Sequence, residues 1–216
     1  MNRVRIFYQK YGWLRFTGTL DIQKIWERSC RRAKLPLAYS QGFHPQAKIQ
    51  QACPLPLGFI STSEIVDIWF IKKLSTKFIV SALIPTLPKG ITIDSIKSIH
   101  LDSPALQSQI KSAEYKIYIN KLNSANIKRN IQVFNDKEYI PFVKRGKTLN
   151  LRRLVEQIDL VESKSASDDH IILHLTNSPG FTGRPEDILS FLEIPIEETI
   201  IERTKLIFDE NKNDCS

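Results

Sequence analysis

The sequence predicts an α+β protein made of two ferredoxin-like units in tandem, each with the element order βαββαβ. Strand-like alternation and helical periodicity follow one another in that order in the first half of the chain. A polar segment at 101–109 then interrupts the pattern, and the pattern begins again after it. The chain has 216 residues, 42% of them hydrophobic, so it can build such cores without disulfide or metal support.

The first unit is predicted over residues 1–101, and residues 102–113 are predicted to be a linker. Its strands are expected at 3–9, 46–52, 64–71 and 91–99, and its helices at 20–33 and 75–84. Tyr11-Gly12-Trp13 predicts the turn of a hairpin, and Lys89-Gly90 predicts a turn into the fourth strand.

The second unit is predicted over residues 114–216. Its expected elements are a strand at 114–121, a helix at 123–132, a hairpin at 138–144 and 147–151, a strand at 170–176, a helix at 185–192 and a strand at 199–207. Residues 151–163 form an extra segment in this scheme. The two halves share no obvious repeat of residues, so a single mixed α+β domain stays open as the alternative.

Cysteine usage and hydropathy predict a cytoplasmic protein without a membrane segment. Cys30, Cys53 and Cys215 are odd in number and far apart, which fits neither a secreted disulfide framework nor a CxxC metal site. The N-terminus lacks a continuous apolar region, and no stretch approaches the ~18 apolar residues of a membrane span.

Charge is distributed unevenly along the chain. Residues 1–50 contain 10 Lys and Arg against 2 Asp and Glu, whereas residues 151–216 contain 7 against 14. The formal charges of these segments are therefore +8 and −7. This asymmetry favours a polyanion as the partner of the N-terminal part, and an unevenly charged solvated surface is the alternative.

The first predicted helix carries a stripe of four cations, opposite apolar residues at helical spacing. The stripe consists of Lys24, Arg28, Arg31 and Arg32. Aromatic residues nearby in sequence, such as Trp13, Tyr39 and Phe43, would suit base stacking while the cations contact phosphate. The stripe therefore indicates RNA binding, and a solvated helix face is the alternative.

A second candidate site is the segment Ser40-Gln41-Gly42-Phe43-His44-Pro45, called the SQGFHP loop below. It combines a flexible glycine, an aromatic platform, an imidazole and a rigid proline, and it is expected to be ordered. His44 is the candidate catalytic residue. A histidine satisfied by backbone hydrogen bonds is the alternative, because no acidic residue lies near it in sequence.

Other patterns give little support for common enzyme classes. Nucleotide-binding, serine-hydrolase and zinc-protease motifs are absent. His170 and His174 have zinc-like spacing, but on the predicted strand their Cα atoms would be roughly 13 Å apart, so no metal site is predicted. The glycines of Ser178-Pro179-Gly180-Phe181-Thr182-Gly183-Arg184 fit either a phosphate-binding turn or a plain turn into the next helix.

Several longer runs resemble the radical SAM-linked (radical SAM-associated) protein family. The matching runs are Gly12-Trp13-Leu14-Arg15-Phe16, Leu20-Asp21, Leu35-Pro36-Leu37-Ala38-Tyr39-Ser40-Gln41-Gly42-Phe43-His44-Pro45, Leu55-Pro56-Leu57-Gly58, Gly183-Arg184-Pro185-Glu186-Asp187-Ile188-Leu189 and Arg203-Thr204-Lys205-Leu206. The chain departs from the family at two positions. It has Thr19 where the family usually has His, and Asn150 where the family often has Asp.

The resemblance implies a functional context. Members of the family occur beside, or fused to, a radical SAM protein, often among genes for RNA processing and ribosomal proteins. The iron–sulfur cluster and S-adenosylmethionine are expected only in that partner. Such a cluster is normally held by three closely spaced cysteine thiolates, whereas Cys30 and Cys53 are 23 residues apart.

Three functions are therefore considered. The favoured one is an accessory protein that presents an RNA or ribosomal substrate to a radical SAM enzyme and has no catalytic activity of its own. The alternatives are a stand-alone RNA-binding module and, by analogy of fold with CRISPR RNA-processing ribonucleases, a metal-independent endonuclease using His44. The predicted binding residues are Arg15, Lys24, Arg28, Arg31, Arg32, Tyr39, Gln41, Phe43, His44, Arg145, Lys147, Arg152, Arg184 and Arg203.

Overall fold

The computed structural model describes residues 1–119, 124–144, 146–163, 169–178 and 181–210. The chain forms two compact units. The first contains Met1–Ile110 and, of the described C-terminal residues, Asp209 and Glu210, and the second contains Lys111–Phe208. Each unit combines antiparallel strands with helices, so the predicted α+β class is confirmed.

The first unit has the predicted order of strands and helices. Its elements are β1 (Asn2–Lys10), α1 (Thr19–Arg32), β2 (Ile49–Gln51), β3 (Ile60–Phe70), α2 (Thr76–Leu83) and β4 (Ile91–Ile99). The strands lie side by side in the order β2-β3-β1-β4, and each neighbouring pair is antiparallel.

The core of the first unit lies between the two helices and one face of its sheet. Alternate residues of β1, namely Val4, Ile6 and Tyr8, are buried on this face. Trp26 of α1 is fully buried and meets Tyr8 edge to face, with 5.0 Å between the ring centroids. Edge-to-face packing of this kind stabilises a core beyond the area that it buries.

The opposite face of the same sheet buries a charged cluster. Asp67 of β3 accepts from Arg3, with 2.7 Å between Nη2 and Oδ2, and from Arg5, with 2.8 Å between Nε and Oδ1. Arg3 also donates to the carbonyl oxygens of Ser103 and Pro104. The segment that the sequence assigned to a linker therefore packs on the first unit at these residues, where Leu106 is fully buried.

The second unit follows the same broad pattern with an insertion. Its elements are β5 (Ile110–Tyr118), α3 (Ser124–Asp136), β6 (Pro141–Lys144), β7 (Lys147–Asn150), β8 (Val155–Val161), β9 (His170–Ser178), β10 (Phe181–Thr182), α4 (Pro185–Phe191) and β11 (Ile200–Phe208). The main strands lie in the order β8-β9-β5-β11, and β10 pairs with the end of β9. Strands β6 and β7 form a separate hairpin, as predicted.

Two local predictions are wrong. Tyr11-Gly12-Trp13 is not a hairpin turn, because residues Gly12–Phe16 form a 3-10 turn and the next element of the chain is α1 rather than a strand. The extra segment at 151–163 contains β8, a main strand of the second sheet. A register shift between Val155 and Gln157 breaks the alternation by which a strand is recognised in sequence.

None of the helices in the described ranges combines the length and the apolar character needed to cross a membrane.

Candidate nucleic-acid interface

Helix α1 separates an apolar side from a basic side, as the sequence predicted. Ile22, Trp26 and Cys30 are buried, whereas Lys24, Arg28 and Arg31 are exposed; these three cations are called the basic face below. Burial, with a contribution from Glu27, raises the pKa of Cys30 to about 12. The Cys30 thiol is therefore neutral and belongs to the core.

The cations of the basic face have few competing partners. Lys24 Nζ lies 3.8 Å from Asp21 Oδ1, and both side chains are more than half exposed. Arg28 and Arg31 form no ion pair with any residue that the structure describes. Exposed pairs contribute little to stability, so all three cations can turn to a phosphate at small cost.

Arg32 has a different role from the basic face. Its Nη2 donates to the carbonyl oxygen of Thr86, and the hydroxyl of Ser29 donates to the same oxygen. These bonds tie the end of α1 to the short 3-10 turn Ile84–Thr86 that follows α2. Arg32 therefore acts mainly in positioning α1.

The 3-10 turn Gly12–Phe16 displays two aromatic rings and is called the aromatic turn below. Trp13 is 88% exposed and Phe16 is 55% exposed, with 6.4 Å between their ring centroids. The Arg15 guanidinium lies over Phe16, 4.6 Å from the centroid. Large exposed aromatic residues on a monomer surface are typical of binding sites.

The aromatic turn is held in place by the backbone around it. The N–H of Tyr11 donates to the Gly90 carbonyl across 2.9 Å, and the N–H of Gly58 donates to the Arg15 carbonyl across 2.8 Å. Two residues, Thr17 and Gly18, separate the turn from α1. Leu20, in the first turn of the helix, is 73% exposed. The aromatic turn and α1 thus form one continuous stretch of exposed surface.

Hydrogen bonds close the ends of the SQGFHP loop. Ser40 N–H donates to the Gln46 carbonyl across 2.8 Å, and Gln46 N–H donates to Ser40 Oγ across 2.9 Å. Phe43 is fully exposed, and Gln41 and His44 are also exposed. Tyr39 pairs with Ala47 at the base of the loop and is 41% exposed.

His44 has no hydrogen bond or ion pair to any residue that the structure describes. The alternative of a histidine satisfied by backbone bonds therefore finds no support in the described contacts. Nor does any carboxylate among the described residues bond to the imidazole, as the carboxylate of a catalytic triad does to its histidine.

The aromatic turn and the SQGFHP loop lie at opposite ends of the first sheet. Lys10 pairs with Ser61 at the start of β3, whereas Ala38 and Lys48 bond to Trp69 near its end. These β3 residues are eight positions apart, which corresponds to about 26 Å along a strand. Helix α1, about 21 Å long for 14 residues, runs between the two ends.

The predicted residues of the second unit have varied environments. Lys147 and Arg184 are exposed. Arg152 donates to the Val155 carbonyl and lies over the Phe134 ring, so its guanidinium supports the fold. Arg203 is fully buried in β11. Arg145 and part of the glycine turn at 178–184 lie outside the described residues.

A cluster in the second unit was not found from sequence. Strand β5 places Glu114 opposite His174 of β9, with 2.9 Å between Nε2 and Oε2, and Thr204 donates to Glu114 across 2.5 Å. Partial burial opposes ionisation, but the Thr204 hydrogen bond, with Lys205 and His174, holds the pKa of Glu114 below its usual value. The alternation of residues predicts that Glu114 and His174 lie on strands. Their contact follows only from the register of β5 with β9.

His170 and His174 lie on a strand, as predicted from their surroundings. Within the described residues, no group of three or more His, Cys, Asp or Glu side chains could hold a metal ion.

Comparison with protein-family models assigns the chain to a family. A family model described as an uncharacterized protein conserved in bacteria (DUF2344) matches residues 3–182. That range contains the aromatic turn, the basic face, the SQGFHP loop and the Glu114–His174 pair. The chain matches no curated protein.

Proposed function

The chain belongs to this conserved bacterial family, DUF2344, and we propose that it is an RNA-binding accessory protein of a separate radical SAM enzyme. The observation that carries the RNA-binding part is the continuity of the aromatic turn with the basic face. Trp13 and Phe16 offer faces for base stacking, and Lys24, Arg28 and Arg31 follow along the exposed side of α1. Single-stranded nucleic acids are bound by this combination of stacking platforms and cations.

We infer that both units are ferredoxin-like. In the first unit, βαββαβ order is combined with the strand order β2-β3-β1-β4. In the second, omitting the β6–β7 hairpin and the short β10 leaves the same succession, with the corresponding strand order β8-β9-β5-β11. In the first unit, α1 joins β1 to β2 and α2 joins β3 to β4, and each helix thus connects two parallel strands that are not neighbours, as in the split βαβ arrangement.

The accessory role rests on the resemblance to radical SAM-linked proteins and on the thiols of the chain. Cys30 and Cys53 are both buried, and the pKa of Cys30 is raised to about 12. Thiolates are the cluster ligands, so these two residues do not fit cluster binding. We therefore place the cluster and S-adenosylmethionine in the partner, and we assign no catalytic role to His44.

The RNA-binding part is tested by the salt dependence of affinity for a fluorescent single-stranded RNA. Replacing Lys24, Arg28 and Arg31 together with Gln should weaken binding and reduce the slope of log K against log salt by about 2. Trp13→Ala should weaken binding about 5- to 150-fold through lost stacking. The matched control replaces Lys72, Lys73 and Lys77, which are equally exposed on the first unit, with Gln. An unchanged slope, or an equal change in the control, would contradict the proposed interface.

The accessory part is tested separately by purifying the tagged protein from its own cell after nuclease treatment. We expect a protein with an iron–sulfur cluster and bound S-adenosylmethionine to co-purify, and Phe43→Ala to reduce its recovery. If RNA co-purifies from a parallel sample without nuclease while no such protein is recovered from either sample, the chain is a stand-alone RNA-binding module. Metal-free cleavage of RNA that is lost in His44→Ala would instead establish the endonuclease.

A further inference from the structure

The second unit contains a cavity between the β6–β7 hairpin and α4. It has a volume of about 400 Å³, and both elements contribute to its walls. Phe142 of the hairpin and Phe191 of α4 supply aromatic surface, and Leu151 adds an aliphatic wall. The walls expose polar as well as apolar surface, and pockets that combine aromatic side chains with a few polar groups are typical of sites for small organic groups.

Two carboxylates line the cavity, and they differ in their partners. Asp187 Oδ2 accepts from Lys144 Nζ across 2.5 Å, an ion pair that links α4 to the hairpin. Glu186 Oε2 is buried and has no hydrogen-bond partner among the described residues. A carboxylate is an acceptor only, so an occupant of the cavity must present hydrogen-bond donors to Glu186. Because Oε2 is closed off from solvent, it meets such a donor only after rotation about the terminal torsion of Glu186, which is a soft torsion.

Cations outnumber carboxylates in the chain segment that carries the hairpin. The described residues of 137–153 include five Lys and Arg and one acidic residue, whereas Glu186 and Asp187 are the carboxylates of the lining. Lys137 Nζ lies 5.9 Å from the centroid of Phe191, and Lys144 Nζ lies 5.6 Å from that of Phe142. Cations at the rim of an aromatic cavity favour an occupant that carries an anionic group outside the cavity.

We propose that this cavity binds the guanine base of a nucleotide. Phe142 and Phe191 offer aromatic surface to a purine ring, and guanine presents two adjacent donors on one edge, N1–H and the exocyclic amino group, to the Glu186 carboxylate. Adenine and cytosine present only an amino group to a carboxylate, and uracil presents one ring N–H. The phosphate then lies among the basic residues of the rim. Single-stranded RNA is read in this way, by stacking a splayed base and pairing its edge. That the base comes from RNA rests on the proposed function.

The test uses the full chain with labelled methyl groups, observed by NMR during titration with GMP, AMP, CMP and UMP. We expect GMP to shift the methyl signals of Ile140, Val143 and Leu151, and to bind at least about tenfold more tightly than AMP. Glu186→Gln should abolish the preference for GMP, whereas Glu197→Gln, at an exposed glutamate, should leave it unchanged. Phe142→Leu should weaken all four nucleotides, and it provides a second variant should Glu186→Gln fail to fold.

Two results would overturn the proposal. One is the absence of shifts at these methyl groups with GMP at about 20 mM, and the other is a preference for GMP that persists in Glu186→Gln. A second arm compares a U12 oligonucleotide with one that carries a single central G. The G should strengthen binding in the wild type and not in Glu186→Gln. Replacing the basic face with Gln should weaken both oligonucleotides equally and leave GMP binding unchanged, which separates this site from the interface on α1.

Discussion

At the scale of single residues, Asn150 makes three hydrogen bonds at the base of the β6–β7 hairpin. Its Oδ1 accepts from the backbone N–H groups of Ile140 and Arg152, and its Nδ2 donates to the Glu138 carbonyl, each across 3.0 Å. A carboxylate at this position could accept both bonds but could not donate the third. The amide therefore closes the base of the β6–β7 hairpin, and its role here is structural.

Asn150→Asp should lower the free energy of unfolding by about 1–2 kcal/mol at pH 7, because one hydrogen bond is lost and a carboxylate faces a carbonyl oxygen. The difference in unfolding free energy between the wild type and Asn150→Asp should become smaller below about pH 4, where a protonated carboxyl can donate a hydrogen bond. Urea denaturation at both pH values measures this. Equal stability of the two proteins at pH 7 would show that the Glu138 bond contributes nothing.

Glu114 predicts a pH dependence in the second unit. Because its pKa is lowered in the folded state, the ionised carboxylate stabilises the fold above the pKa of the unfolded chain. This contribution is lost as the pH falls through the folded pKa. The stability of the wild type relative to Glu114→Gln should therefore decline on acidification from pH 6 to pH 3. A constant difference across this range would exclude the predicted linkage.

The contact between Glu114 and His174 could not be predicted from the sequence. Local alternation predicts that Glu114 and His174 lie on strands, but they are 60 positions apart, and their contact depends on the register of β5 with β9. A shift of one residue would place them on opposite faces. In contrast, the inward and outward faces of α1 follow from spacing within a single helix, and they could be predicted from the sequence.

At the scale of elements, the aromatic turn depends on the turn that precedes β4. Gly90 has φ of +101°, and a Cβ there would lie 2.7 Å from the Tyr11 carbonyl oxygen. The N–H of Tyr11 donates to the Gly90 carbonyl, so the two turns are bonded to each other. Gly90 is therefore required both for its backbone conformation and for the close approach of the chain that carries Trp13.

Gly90→Ala should lower the free energy of unfolding by about 2–4 kcal/mol, through backbone strain together with the clash at Tyr11. Gly58→Ala is the matched control, since Gly58 also has positive φ, at +87°, but has open space around its missing Cβ. Gly58→Ala should lower the free energy of unfolding by only about 1–2 kcal/mol. Thermal unfolding of both variants measures the difference, and equal losses would show that the close approach is unimportant.

The prediction of elements succeeded where apolar residues follow one regular period. The helices at 20–33 and 75–84 and the strand at 91–99 agree closely with α1, α2 and β4. Strand β8 was missed because a bulge places Val155 and Ile158, both buried, three positions apart instead of two. An irregularity of this kind is decided by pairing with β9, which local sequence does not show.

At the scale of the whole molecule, residues 1–50 expose less positive charge than their formal charge of +8 suggests. Of the cations in residues 1–50, Arg3, Arg5 and Lys10 are buried, and Asp67 is paired with both arginines. The surface cations of this segment are therefore concentrated on α1 and in the residues that follow it. Buried pairs of this type fix a structure more than they stabilise it, and breaking one is costly.

Asp67→Asn should lower the free energy of unfolding of the first unit by about 3–5 kcal/mol, because two buried guanidinium groups lose their shared carboxylate. Asp94→Asn, at an exposed aspartate of β4, should change stability by less than about 0.5 kcal/mol. Hydrogen exchange in the first unit should also increase at residues 103–109, since Arg3 links Asp67 to that segment. If Asp67→Asn lowers the free energy of unfolding by less than about 1 kcal/mol, the cluster of Arg3, Arg5 and Asp67 is not effectively buried.

The most direct test of the RNA-binding account is to locate the bound RNA by photo-cross-linking. The wild-type protein is irradiated with a single-stranded RNA containing 4-thiouridine, and the cross-linked peptides are identified by mass spectrometry. We expect cross-links at Trp13 or Phe16 and in the peptides of α1 that carry Lys24, Arg28 and Arg31. Cross-links confined to other surfaces, or none under conditions where RNA is bound, would contradict it.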